Sequence, residues 1–261
     1  MPSYVITGAS RGIGFEFTRQ LSADLKNVVF ALVRNKSTSK QLYELKRKNI
    51  HILEADITDK KALINAAQAV SKITNGTLDF LINNAAWTND QRQNLTLDAY
   101  EDQDLLEEDL IKSFTINVVG VVHTINAFLP LLHKGEVKKV ITLSSGAADV
   151  EATLQLGFAA NAAYSISKAA LNMAVAKYAT QYKKDGFVFL ALSPGLVNTS
   201  GGPLPEEVNK AQIALFSQIK PDFEGAITPE ESVKLQLEVI NKWTVVDTGA
   251  FVSLHGNKEW L

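Results

Sequence analysis

A tyrosine and a lysine stand four residues apart in Ala163-Tyr164-Ser165-Ile166-Ser167-Lys168. The surrounding stretch, Asn161 to Lys184, reads as a helix, so positions i and i+4 lie one above the other on one face. An unassisted phenol titrates near ~10. A neighbouring ammonium favours the phenolate and lowers that value by roughly 1–3 units. The pair is therefore a candidate acid–base catalyst, matched to the alkoxide that forms when a carbonyl accepts hydride. By itself the spacing also fits a helix–helix contact beside a surface lysine.

A second constellation opens the chain. The apolar run Tyr4-Val5-Ile6-Thr7 is followed at once by Gly8-Ala9-Ser10-Arg11-Gly12-Ile13-Gly14, and then by Phe15 to Leu21 with helical spacing. Strand, glycine-rich turn and helix make up the setting of a dinucleotide site. Gly8 lets the chain leave the strand in a conformation closed to side chains. Gly12 lets the backbone approach a pyrophosphate, and Gly14 lets the helix pack on the sheet. The helix amino terminus then offers N–H groups and partial positive charge to the phosphates.

The spacing Gly-x-x-x-Gly-x-Gly together with Tyr-x-x-x-Lys resembles the short-chain dehydrogenase/reductase family, in its compact, classical type. Further motifs fall in the family's order: Asn83-Asn84-Ala85, Asn117 in Ile116-Asn117-Val118-Val119-Gly120, Ser144-Ser145-Gly146, and Ser193-Pro194-Gly195-Leu196-Val197-Asn198-Thr199. The resemblance implies a catalytic set of Asn117, Ser145, Tyr164 and Lys168. In it Tyr164 is the general acid, and Lys168 lowers its pKa and holds the nicotinamide ribose. Ser145 orients the substrate oxygen, and Asn117 anchors a water beside Lys168. It implies cofactor contacts from Gly8, Ser10, Arg11, Gly12, Ile13 and Gly14, from Asp56, Ile57, Asn84 and Ala85, and from Tyr164, Lys168, Pro194, Gly195, Val197 and Thr199. Asp56 also fits a plain N-cap to a helix starting at Thr58. The closing Phe251-Val252-Ser253-Leu254-His255-Gly256, with Trp260, is similar to fungal-type ketoreductases and to the small carbonyl reductases called sniffer or C-factor.

Cofactor choice rests on the end of the second strand. Val28 to Val33 runs into Arg34-Asn35-Lys36-Ser37, where an NAD site usually carries an acidic residue for the ribose 2′-hydroxyl. A guanidinium suits a phosphate instead, and Arg11 can reach the same place. NADP(H) is therefore expected over NAD(H), although Arg34 also fits a solvated surface position.

Two features depart from the family. Ala86 follows Asn-Asn-Ala where the family usually has glycine, which points to a slight backbone shift or a narrower pocket. Tyr164 lies nineteen positions after Ser145, a longer spacing than the family usually has, so the extra loop is expected to shape the substrate pocket. Trp87, Phe158, Leu196 and Phe216 are candidate pocket residues. Residues 200–227 correspond to the family's substrate lid, with a helix at about Glu206–Ile219. The expected activity is NADPH-dependent reduction of a hydrophobic or aromatic ketone. The competing readings are a non-catalytic NADP-binding regulator and a dehydratase or epimerase on the same scaffold.

These residues need a scaffold that gathers them. Expected strands are Tyr4–Thr7, Val28–Val33, Ile50–Glu54, Phe80–Ile82, Val140–Leu143, Val188–Leu192 and Ala250–Val252. Helices are expected at Thr58–Ser71, Leu105–Leu132, Asn161–Tyr182 and Pro229–Lys242. The alternation predicts an α/β fold: one Rossmann-type, doubly wound parallel sheet of about seven strands with helices on both faces, forming a single domain over residues 1–261. Strand carboxyl ends then share one edge, where ligands bind. Hydrophobic residues make up 46% of the chain, enough for a large core. The formal charge of −2 argues against nucleic acid or an anionic membrane as partner. Without cysteine, no disulfide or thiolate chemistry arises, and His51, His123, His133 and His255 lack metal-ligand spacing. No signal peptide or membrane span is expected, so the protein is expected to be cytoplasmic. Self-association as a homodimer or homotetramer is expected by analogy, with His123, Phe128, Met173 and Tyr178 as contributors.

Overall fold

The computed structural model describes residues 1–261. Seven parallel strands form one sheet: β1 (Ser3–Thr7), β2 (Val28–Val33), β3 (Ile50–Glu54), β4 (Phe80–Asn83), β5 (Lys139–Leu143), β6 (Val188–Ser193) and β7 (Phe251–Ser253), in the order β3-β2-β1-β4-β5-β6-β7. The direction of winding reverses between β1 and β4, the switch point at which doubly wound sheets open a crevice.

Although these strands read as continuous apolar runs, they still alternate between two cores. Val5, Phe30, Leu32, Leu81, Val140 and Phe189 enter one. Tyr4, Ile6, Val29, Ala31, Ile82, Ile141 and Leu190 enter the other. Both faces are covered, so both phases of the pleat must be apolar. Helices α1 (Gly12–Leu21), α2 (Lys40–Glu44) and α9 (Pro229–Lys242) cover the second core. The first is covered by α3 (Lys60–Thr74), α5 (Val121–Lys134) and α7 (Ala162–Tyr182). Helix α4 (Gln103–Phe114) packs on α7, while α6 (Val150–Leu156) and α8 (Glu206–Phe216) lie in the connections near the crevice.

Several expectations are refined. The long helix expected at Leu105–Leu132 spans α4 and α5, joined by a π-helical turn at Thr115–Gly120. The third helix starts at Lys60, and its N-cap is Asp59, whose carboxylate accepts from Lys61 N and Ala62 N. Asp56 is therefore not that cap; its Oδ1 accepts from Thr58 N and Oγ1 in a local turn. Helices α2 and α6 were not expected. The 103–134 helix is also long and apolar enough to cross a membrane, contrary to expectation, with a window of mean hydropathy 1.6. Half of that window is buried inside the protein, as suits a helix packed on a sheet. Phe128, expected at a subunit interface, has no exposed surface, and Tyr178 stacks on Phe189 and donates to Asn126 Oδ1.

Candidate active site

The candidate residues follow strand carboxyl ends or sit on α7, except Asn117, which lies in the π turn between α4 and α5. Gly8 to Gly14 link β1 to α1, Arg34 follows β2, Asp56 and Ile57 follow β3, Asn84 and Ala85 follow β4, Ser145 follows β5, and Pro194 to Thr199 follow β6. Tyr164 and Lys168 lie in the first two turns of α7.

The glycine turn is held by its neighbour across the switch point. Asn84 Nδ2 donates to the carbonyls of Thr7 and Gly8, at 2.9 and 3.1 Å. The Thr7 hydroxyl accepts from Asn84 N and Ala85 N, both at 3.0 Å. Gly8 adopts φ +66°, and a Cβ there would lie 2.9 Å from Ala85 Cα. A Cβ on Gly14 would overlap the Asn84 amide and the Gly8 carbonyl. Each glycine is thus fixed by contact with the Thr7–Asn84 tie. Arg11, in the glycine turn, and Arg34, after β2, are exposed, and neither has a carboxylate partner. Ile57 is buried against Gly120, where a Cβ would lie 2.9 Å from its side chain. The chain after β6 crosses the glycine turn, with Thr199 Cγ2 3.2 Å from where a Gly12 Cβ would sit. It is pinned by a bridge between Val197 and Ile227 and by Asn198 N donating to Ile227 O at 2.9 Å.

The two serines after β5 divide their roles. Ser144 is buried and donates to Asn172 Oδ1 on α7 at 2.6 Å. Ser145 is partly exposed, accepts from Ala147 N at 3.2 Å, and faces the Tyr164 phenol. Lys168 is buried, and its Nζ donates to Leu143 O at the end of β5, at 2.7 Å. Its Nζ lies 5.5 Å from the Tyr164 ring centre.

The electrostatics differ from the sequence expectation. Burial pushes the Tyr164 phenol up to about 12, and the hydrogen bond with Ser145 is what draws it back. Burial pushes Lys168 down to about 7. The protein alone does not hold the phenol acidic, because removal from water costs both charged forms more than their separation returns. Asn117 sits in the π turn, fully buried. Its Oδ1 accepts from Trp87 N at 2.7 Å, and its Nδ2 donates to Trp87 O and Ser167 Oγ, both at 2.9 Å. Its side chain is therefore committed to Trp87 and Ser167. Interrupted helices of this kind recur at functional sites.

Of the four apolar pocket candidates, Trp87 shares a cleft with Tyr164, under the Lys112 ammonium at 4.7 Å. Phe216 instead packs edge-on against Phe223 at 5.4 Å. Phe158 and Leu196 are partly buried in their loops. Ala86 is exposed. Thr7, Ser167, Asn172 and Trp260 were not anticipated; the first three act through hydrogen bonds to groups distant in sequence, which no local pattern announces.

Residues 3–206 match the family described as short chain dehydrogenase. Relatives covered over their full length, and covering all of this chain, include the short chain dehydrogenase virK of Hypocrea virens at 46% identity. The short-chain dehydrogenase/reductase atnB of an Arthrinium species is 43% identical with the same coverage. Among solved structures, NADPH-bound carbonyl reductase from chicken fatty liver is 29% identical, with a TM-score of 0.80 over 98% of each chain. Carbonyl reductase Sniffer of D. melanogaster shares the fold at 23% identity, with a TM-score of 0.80 over 98% of each chain. With the glycine turn, the Tyr164–Lys168 helix and the seven-stranded sheet in place, the chain belongs to the classical short-chain dehydrogenase/reductase family of oxidoreductases.

Proposed function

We propose that the protein is an NADPH-dependent carbonyl reductase acting on small hydrophobic or aromatic ketones. The observation that carries this reading is the gathering of Ser145, Tyr164 and Lys168 around the carboxyl end of β5, across the switch point from the glycine turn. Nicotinamide cofactor, when bound, supplies the hydride. Gly8 to Gly14 and the start of α1 hold its pyrophosphate, and Arg11 and Arg34 its 2′-phosphate. Val197 and Thr199 hold the carboxamide end, and Asp56, Ile57, Asn84 and Ala85 border the adenosine. The free guanidiniums of Arg11 and Arg34 and the three glycines of the turn fit that group. The NADPH bound to the chicken carbonyl reductase supports the same choice.

Ser145 Oγ donates a hydrogen bond to the substrate oxygen and fixes it beside Tyr164. Tyr164 Oη then gives its proton to that oxygen as the carbonyl carbon becomes tetrahedral. A phenol pushed up to about 12 stays protonated at neutral pH, as a proton donor must. Lys168, one turn along α7 from Tyr164, holds the ribose hydroxyls. Asn117 holds the Trp87 backbone, and through it one wall of the cleft. Residues 200–227 act as the lid, hinged at the Val197–Ile227 bridge, and Trp87 faces the substrate.

Self-association as a dimer or tetramer belongs to the same proposal. Ile111 and Phe114 on α4, with Ile166 and Met173 on α7, leave a contiguous pair of packed helices with exposed apolar side chains. The test of the activity is loss of NADPH absorbance with a panel of aromatic and alicyclic ketones, run in parallel with NADH. Consumption of NADPH by no ketone in the panel refutes the reading.

A further inference from the structure

The segment after β7 folds back over the active-site edge. Ser253 N donates to Asn257 O at 2.7 Å, and Asn257 Oδ1 accepts from Ser253 Oγ and Glu259 N, both at 2.9 Å. This tight turn aims residues 258–261 at three features of the crevice. Lys258 Nζ lies 3.9 Å from Asp149 Oδ2, the carboxylate that caps α6. Lys220, in the lid segment, donates through Nζ to Leu261 O at 3.0 Å. Between these two tethers, Trp260 stacks on Phe251 with ring centres 4.4 Å apart.

The third feature is the turn that carries Ser145. A Cβ built on Gly146 would lie 2.6 Å from Trp260 Cβ and 2.9 Å from its Cγ. Real Cβ contacts are not that short, so the glycine after Ser145 is required by the tryptophan. Gly146 N in turn donates to Ser193 Oγ at 3.0 Å, which fixes the turn against the end of β6. The indole is therefore pressed on the main chain one residue from Ser145 and is partly exposed, while its chain neighbours Lys258 and Leu261 meet the extra loop and the lid segment.

We infer that Trp260 is a specificity-determining residue: its indole forms an apolar wall of the substrate crevice on the Ser145 side and limits the size of the ketone that reaches Ser145 and Tyr164. This rests on the carbonyl-reductase reading above. A wall pinned by stacking and by a backbone contact cannot swing away, so it excludes by volume. Hydrophobic pockets discriminate by about 10- to 200-fold per small group.

The experiment measures kcat/KM with NADPH for a one-ring ketone (acetophenone) and a two-ring ketone (2-acetonaphthone), in wild type, Trp260→Ala, Trp260→Leu and Trp260→Phe. The readout is the two-ring to one-ring ratio, in which the fraction of folded enzyme cancels, so loss of stability alone leaves it unmoved. The ratio is expected to rise about tenfold or more in Trp260→Ala and Trp260→Leu. In Trp260→Phe, which restores a ring, it is expected to stay within about threefold of wild type. A ratio unchanged or lowered in both truncations, in enzyme that still reduces acetophenone, overturns the inference and leaves the reductase reading standing. Wild type that reduces neither ketone, nor any other in the panel, overturns both.

Discussion

The Lys168 ammonium donates to the Leu143 carbonyl at 2.7 Å, while its Nζ stands 5.5 Å from the centre of the Tyr164 ring. The lysine ties α7 to the end of β5 before it does anything for the phenol. Its burial has a thermodynamic consequence. An unfolded lysine keeps its proton up to about 10.5, and the folded one releases it near 7. Between those values the unfolded state binds more protons, so stability rises with pH. Tyr164 does the reverse: the folded phenol holds its proton to about 12 against 10 when unfolded, so stability falls as pH climbs through that window. Urea midpoints of wild type minus Lys168→Met should grow from pH 7 to 10. A difference that stays level over that range contradicts the buried, partly neutral lysine.

The two serines separate function from structure. Ser145→Ala removes the hydroxyl that faces the phenol and should lower kcat with NADPH and a ketone by about 100-fold or more. Ser144→Ala leaves the Asn172 amide oxygen without its buried donor and should cost about 1–3 kcal/mol of stability while kcat per folded molecule stays near wild type. Tyr164→Phe should lose about 100- to 10,000-fold in turnover with NADPH affinity retained. Equal turnover in Ser145→Ala and Ser144→Ala would remove Ser145 from the reaction.

Cofactor choice is tested at the end of β2. Arg34 is exposed with no carboxylate partner, so Arg34→Asp disturbs no internal contact of the fold. The new carboxylate repels a 2′-phosphate and accepts from a 2′-hydroxyl. The KM for NADPH should rise by about tenfold or more while that for NADH falls or holds. Unchanged NADPH kinetics in Arg34→Asp, and in Arg11→Ala, would move the 2′-phosphate elsewhere.

The sheet was legible because β1, β2 and β6 are apolar on both faces, a pattern that belongs to strands covered by helices on either side. Helix α7, expected from Asn161 to Tyr182, spans Ala162–Tyr182. By contrast, α6 carries Val150 and Leu154 exposed at 71% and 77%, so its apolar residues do not mark a buried face. The π turn at Asn117 leaves no mark in an apolar run that simply continues. The placement of the glycine turn after β1, and of Tyr164 and Lys168 on one helix, was legible from their spacing. What each side chain bonds to was not. Lys168 finds a carbonyl and Asn117 finds the Trp87 backbone, and backbone groups have no signature in sequence. The depressed phenol pKa expected from i, i+4 proximity failed for a related reason: spacing reports distance, whereas the shift is set by burial.

A buried ionic cluster beside the site supplies a last test. Asp109 on α4 is 1% exposed. It accepts from Arg92 Nε and Nη2 at 2.8 and 2.6 Å, from Asn89 Nδ2 at 2.9 Å, and from Tyr100 OH at 3.1 Å. One carboxylate thus gathers three residues of the irregular segment between β4 and α4. That segment also carries Trp87, and Thr88, whose hydroxyl donates to Asn161 Oδ1 at the start of α7. Arg92 holds the Asp109 carboxyl below its ordinary value of 3.8, so the stabilisation is present at neutral pH and lost on acidification through that folded pKa. Asp109→Ala leaves a guanidinium and two polar side chains without their acceptor. The 88–102 segment should then be cut by trypsin at Arg92 much faster than in wild type, with cleavage elsewhere little changed. Asp109→Asn, which retains an acceptor oxygen but no charge, should fall between the two. Wild-type resistance at Arg92 in Asp109→Ala would show that the segment is ordered by its packing alone.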